Sequence, residues 1–202
     1  MTAKIYWNRE RYLLDTSSLI YAAEDWNEGY MRAISWAETK EKDPVTYLAG
    51  RRHGEGVARY ILDLCALERS ECYVPDVVVH EVQLTEEEDL RDRALKLLSE
   101  AKVKVIETGS VEELYSLVPY HMRDSIRALI EEARSRGRRL GIGISADPHL
   151  LLLALKHGYT LVTADRRLAE LATLLGIDVV YPTAGKVRLE MNRYRVVATK
   201  KF

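Results

Sequence analysis

Four carboxylates in this 202-residue chain occupy positions where α/β proteins do chemistry. Asp15 directly follows the apolar run Tyr12-Leu13-Leu14, and Asp165 follows Thr160-Leu161-Val162-Thr163 with Ala164 between them. Asp147 opens a helix that feeds a strand, and Glu81 lies six residues past Pro75, in the second turn of its helix. In an open parallel sheet the carboxyl ends of strands and the amino ends of helices share one edge, where ligands bind. Each aspartate taken singly is explained as an N-cap, worth about 1 kcal/mol. Their convergence is not, because carboxylates gathered without a cation repel one another and raise their own pKa values. A divalent metal removes that penalty, and hard oxygen donors suit Mg²⁺ or Mn²⁺.

The elements that must position these acids follow from an alternation of short strand-like runs and longer helical stretches, the pattern of an α/β fold with a parallel sheet. Tyr12–Leu14 reads as a strand ending in the helix-start signal Asp15-Thr16-Ser17-Ser18. Val57 to Leu67 reads as a helix and Cys72–Val74 as a strand, with Pro75 opening a helix from Asp76 to about Leu84. Glu86–Asp89 begins a further helix through Leu98, acids being favourable at a helix start. Val103–Ile106 is a strand, and Ser110 to Arg136 is helical, interrupted near Pro119 and stopped at Gly137. Asp147-Pro148 caps a helix stopped by Gly158. Thr160–Thr163 is a strand, Asp165 caps a helix stopped by Gly176, and Ile177–Tyr181 is a last strand closed by Pro182. One domain over 1–202 is expected. It has an irregular insert at about 25–56, a helical segment at about 110–140, and a basic extension at 183–202 forming an extra strand or hairpin.

Three segments, taken in order, carry a family resemblance. They are Leu13-Leu14-Asp15-Thr16-Ser17, then Val74-Pro75-Asp76 through His80-Glu81-Val82, then Asp147-Pro148-His149 through Leu161-Val162-Thr163-Ala164-Asp165. Together they resemble the motifs of PIN-domain ribonucleases, with Thr163-Ala164-Asp165 similar to that family's Thr-x-Asp signature and Asp147 and Asp165 18 residues apart. The resemblance implies a three-layer α/β/α fold around a central parallel sheet. It further implies that Asp15, Glu81, Asp147 and Asp165 are both catalytic and metal-binding, holding Mg²⁺ or Mn²⁺. Thr16, Ser17 and Thr163 would be supporting hydroxyls that orient carboxylates or water. The implied reaction is phosphodiester hydrolysis of RNA, with a VapC-type toxin held by an antitoxin as its more specific form, and a homodimer is expected. A protein-only enzyme trimming tRNA 5′ ends, and a PIN-like module that binds RNA or protein without cutting, are the alternatives.

Basic residues cluster beside these acids. Arg134, Arg136, Arg138 and Arg139 precede Asp147, and Arg166 and Arg167 follow Asp165, so all six are candidates for holding RNA phosphates. The five histidines lack the spacing of a zinc site, and His149 is expected at the core edge or surface. Twelve tyrosines against one phenylalanine read as scattered half-buried packing.

Composition sets the outer bounds. With 47% hydrophobic and 30% charged residues the chain is a folding one. No apolar run approaches the roughly 18 residues that span a bilayer, and the start lacks the apolar core of a signal peptide, so a cytoplasmic protein is expected. A net charge of -1 excludes a uniformly cationic nucleic-acid binder and leaves the distribution of charge to carry the information. Cys65 and Cys72, the chain's two cysteines, are expected as buried thiols in a reducing cytosol. One Gln and three Asn hint at a thermophilic source, which moves the balance toward a disulfide.

Overall fold

Strands covered on both faces need continuous apolar runs, and the short runs of this chain supply them. The computed structural model describes residues 10–24, 54–181, 186–190 and 195–199. Strands β1 (Arg11–Leu14), β2 (Glu71–Pro75), β3 (Lys104–Ile106), β4 (Thr160–Val162) and β5 (Val179–Val180) form a parallel sheet in the order β3-β2-β1-β4-β5. Tyr12, Leu13 and Leu14 of β1 are all buried, as are Leu161 and Val162 of β4. The helices are α1 (Thr16–Glu24), α2 (Gly54–Ala66), α3 (Asp76–Gln83), α4 (Glu88–Glu100), α5 (Leu114–Leu117), α6 (Arg123–Leu140), α7 (Asp147–His157) and α8 (Arg166–Leu174). They cover the sheet on both sides in a three-layer α/β/α arrangement, and the sheet is parallel as the alternation predicts.

The strand order decides where a site can form. From β1 the chain moves to β2 on one side and later returns to β4 on the other, so the order reverses between β1 and β4. Ligands of open α/β sheets bind in the crevice at that reversal. Asp15 ends β1 there, its N–H donating to the Val162 carbonyl of β4 at 3.0 Å. Helix α1 packs against α2, α3 and α4. Helix α7 is apolar nearly all round, with Leu150 to Ala154 buried, because α5 and α6 cover it.

Several local expectations change. Pro75 is the last residue of β2 and the N-cap of α3 rather than its first turn. Asp147 is the first residue inside α7, behind an Ala146 N-cap, so its side chain is not spent on capping. The segment from 110 breaks at Pro119 as expected, with 3₁₀ turns at Val111–Glu113 and Tyr120–Met122.

Gly137 does not stop α6, which runs on to a left-handed C-cap at Gly141 with φ 75°. Gly137 is instead a point of contact: a Cβ there would lie 2.4 Å from the Ile144 Cα. The helix thus needs glycine so that the returning chain can cross it.

Cys65 and Cys72 are joined in a disulfide with Cα atoms 5.8 Å apart, against the expectation of two thiols. The tight turn from α2 into β2 brings them together, with Leu67 N–H bonded to Asp63 and Arg69 N–H to Leu64.

The expected insert overlaps α2 at 54–56, and residues 25–53 lie outside those described, as does Pro182. The basic extension forms the expected hairpin, β6 (Lys186–Glu190) antiparallel to β7 (Arg195–Thr199). Among the described residues no helix is long and apolar enough to cross a membrane.

Candidate functional site

Asp15 is a buried carboxylate set at the end of β1, only 4% exposed. Its Oδ2 accepts from Ser17 Oγ at 2.5 Å and from Thr163 Oγ1 at 2.6 Å. Each hydroxyl has one proton, so the 3.3 Å contact between Ser17 and Thr163 adds no further bond once both donate to Asp15. As acceptors, Ser17 takes the Ala164 N–H at 2.9 Å and Thr163 takes the Asp165 N–H at 3.0 Å. The start of α1 and the end of β4 are thereby tied through one carboxylate. Burial pushes the Asp15 pKa up, the two hydroxyls pull against it, and Glu81 and Asp165 add repulsion.

Glu81 reaches the same edge from α3. Its Oε2 accepts from Thr16 Oγ1 at 2.5 Å and its Oε1 from the Ala146 N–H at 2.8 Å. It therefore joins α1, α3 and the chain entering α7. Asp165 is the N-cap of α8, with Oδ1 accepting from the N–H groups of Arg167 at 2.7 Å and Leu168 at 3.1 Å. The capping explanation is correct for Asp165, and it occupies only one of the two oxygens.

Asp147 differs from the other three. Its Oδ2 accepts from Arg136 Nη1 at 3.1 Å, and its side chain is 14% exposed. Burial, reinforced by Asp15 and only partly offset by Arg136, pushes its pKa up to about 7. Arg136 also bonds Glu132 at 3.4 Å, and Glu132 pairs in turn with Arg167, so α6, α7 and α8 are linked by alternating charges. Burial opposes the charge of Arg136, but attraction to Asp147, Glu132 and the other acids outweighs it and raises its pKa.

The four acids thus share one edge and feel one another's charge. Among the described residues, however, no three His, Cys, Asp or Glu side chains are gathered in an arrangement that could hold a metal ion. Glu81 is tied to Thr16 and Ala146, Asp147 is turned onto Arg136, and one oxygen of Asp165 is given to its helix. The donor chemistry still fits Mg²⁺ or Mn²⁺, since the edge gathers carboxylate oxygens and Arg136 bonds one of its four acids.

The arginine cluster divides. Arg136 faces the acids, while Arg134 and Arg138 line a separate pocket with Ser110, Glu112 and His149. Arg139 is exposed, Arg166 pairs with Glu170 of its own helix at 2.6 Å, and Arg167 pairs with Glu132. His149 is buried, within the core-edge part of its expectation. Sequence reasoning missed Glu132, although its i, i+4 spacing to Arg136 was the available signal. It also missed the Ala146 N–H, which no side-chain pattern announces.

No protein-family description matches the chain, and no curated protein shows significant similarity to it. Among solved structures, it is similar to a domain of a functionally unknown protein from Methanocaldococcus jannaschii DSM 2661. The two are 16% identical with a TM-score of 0.38, over 91% of this chain and 98% of that one.

Proposed function

We propose that the protein is a Mg²⁺- or Mn²⁺-dependent endoribonuclease of the PIN kind, hydrolysing phosphodiester bonds at the edge where β1 and β4 end. The observation that carries this reading is the convergence of four carboxyl groups on one edge. Asp15 and Asp147 both have raised pKa values chiefly through burial, with Asp165 and Glu81 adding repulsion and Arg136 the one guanidinium bonded to them among the described residues. Asp15, Asp147 and Asp165, with Glu81 beside them, would hold the ion. When bound it supplies Lewis acidity toward the attacking water and the scissile phosphate.

The protein's own groups do the rest. Ser17 and Thr163 direct both their protons at Asp15 and so favour its ionised form against burial. Thr16 and the Ala146 N–H fix Glu81, so that an incoming strand meets a rigid acidic wall. Arg136 exchanges its bond to Asp147 for one to a phosphate oxygen as substrate enters, a trade for which its planar fork is suited.

The test incubates labelled RNA with Mn²⁺ or Mg²⁺ and the wild type, Asp15→Asn or Asp165→Asn. Asn caps a helix about as well as Asp, so Asp165→Asn removes charge and leaves α8 intact. Cleavage should depend on the metal and fall by about 100-fold or more in both variants, the usual scale for loss of a principal electrostatic group. Cleavage that survives both substitutions sinks the site. One observation favours a second reading, a module that binds RNA without cutting: Arg136 already partly neutralises Asp147. RNA binding with no cleavage of any substrate would select it.

A further inference from the structure

Helix α6 carries arginines on two faces, and the second face has no part in the acidic edge. Residues two apart on a helix point to nearly opposite sides, so Arg134 and Arg138 turn away from the direction of Arg136. The same spacing separates Asp147 from His149 on α7. Arg134, Arg138 and His149 meet at an open pocket of about 440 Å³, with Ser110, Val111, Glu112 and Ile144 among its other walls.

Three properties of this pocket point to a ligand. Glu112 accepts from both Ser110 and Arg134, so its charge is already matched. Arg138 has no ion-pair partner among the described residues and leaves the pocket with a net positive charge. His149 is 6% exposed, so its ring forms part of the pocket floor, with its Nδ1 turned into the interior. Val111 and Ile144 add apolar wall to this open depression. An unpaired guanidinium beside an apolar wall matches a phosphate attached to a flat heterocycle.

We infer that this pocket binds one nucleoside monophosphate unit, its phosphate on Arg138 and its base between Val111, Ile144 and His149. It lies on the faces of α6 and α7 turned away from those that carry Arg136 and Asp147. An RNA strand that crosses the acidic edge and continues around α6 would place a flanking nucleotide in it. In that form the inference rests on the ribonuclease reading, whereas binding of a free nucleotide does not.

Calorimetry on the full-length protein in EDTA tests it with adenosine monophosphate, adenosine, inorganic phosphate and a short single-stranded RNA. Adenosine monophosphate should bind, with adenosine and phosphate each weaker by about tenfold or more, the scale of one charge-assisted contact. Arg138→Ala, an exposed change that leaves the fold alone, should weaken it to the same degree. Glu112→Gln should tighten it by removing a like charge. Loss of RNA affinity in parallel assigns the nucleotide to a strand, and loss for the mononucleotide alone assigns it to a free ligand.

No binding at millimolar concentration, affinity indifferent to Arg138→Ala, or phosphate binding as tightly as the nucleotide overturns the inference. Cleavage assays run alongside separate the two readings. Nucleotide binding without cleavage keeps the pocket and discards the nuclease, and cleavage whose KM ignores Arg138→Ala does the reverse for a strand-bound nucleotide.

Discussion

A carboxylate inside a protein is held in its charged form by what touches it, and Asp15 and Asp147 show two degrees of success. Asp15 has two hydroxyl donors, and Asp147 has one guanidinium shared with Glu132. Burial dominates both and raises both pKa values. For Asp147 the folded value of about 7 stands against about 4 for an unfolded aspartate. Between those values the folded protein keeps a proton that the unfolded chain has released. Its contribution to stability is full at acid pH and is lost as pH rises through 7. The metal-free protein should therefore lose stability, by a few kcal/mol at most, between about pH 4 and pH 7, and Asp147→Asn should flatten that slope. Buried His149, whose pKa is lowered, acts in the opposite sense below its unfolded value. Urea midpoints for the two proteins in EDTA, compared pH by pH, cancel the histidine and isolate the aspartate.

At the scale of the element, α6 matters most, because it presents Arg136 to one site and Arg134 and Arg138 to another. Its position depends on Gly137, where the returning chain at Gly143 and Ile144 leaves no room for a Cβ. Alanine is ordinarily the better helix former by about 1 kcal/mol. Here the clash is with backbone, which cannot swing aside. Gly137→Ala should lower stability by about 1–3 kcal/mol, as overpacking does. It should also weaken RNA cleavage, since Ile144 lies three residues before Asp147. Thermal melts paired with the cleavage assay check both effects. A variant as stable as the wild type would mean that the crossing is looser than drawn.

At the scale of the molecule, the disulfide locks α2 to β2, the neighbour of the strand that carries Asp15. A bridge closing a seven-residue separation stabilises by about 2–3 kcal/mol through the unfolded chain. Denatured, unreduced protein should show no reactive thiol. The double variant Cys65→Ala with Cys72→Ala should unfold more readily by about that amount, measured by urea titration with and without reductant. Two free thiols in the denatured wild type would remove the bridge from the account.

Much of this architecture is legible along the chain, for a local reason. Strands that end in Asp15 and near Asp165, and helices stopped by Gly158 and Gly176, are set by short-range periodicity and backbone conformation, which neighbouring residues determine. Those junctions are enough to predict a parallel sheet with acids along one edge. They cannot say that Asp165 is a true cap while Asp147 is free of capping, because the two look alike in sequence. Nor can they separate Arg136 from Arg134 and Arg138, explain Gly137 by a crossing chain, or join Cys65 to Cys72. Helical phase is written in the sequence, but which neighbour each face meets is fixed by packing between segments far apart in the chain. The sequence by itself determined the elements and the chemistry available at their ends. Only the tertiary structure decided which charges meet, and so which acids remain short of a cation.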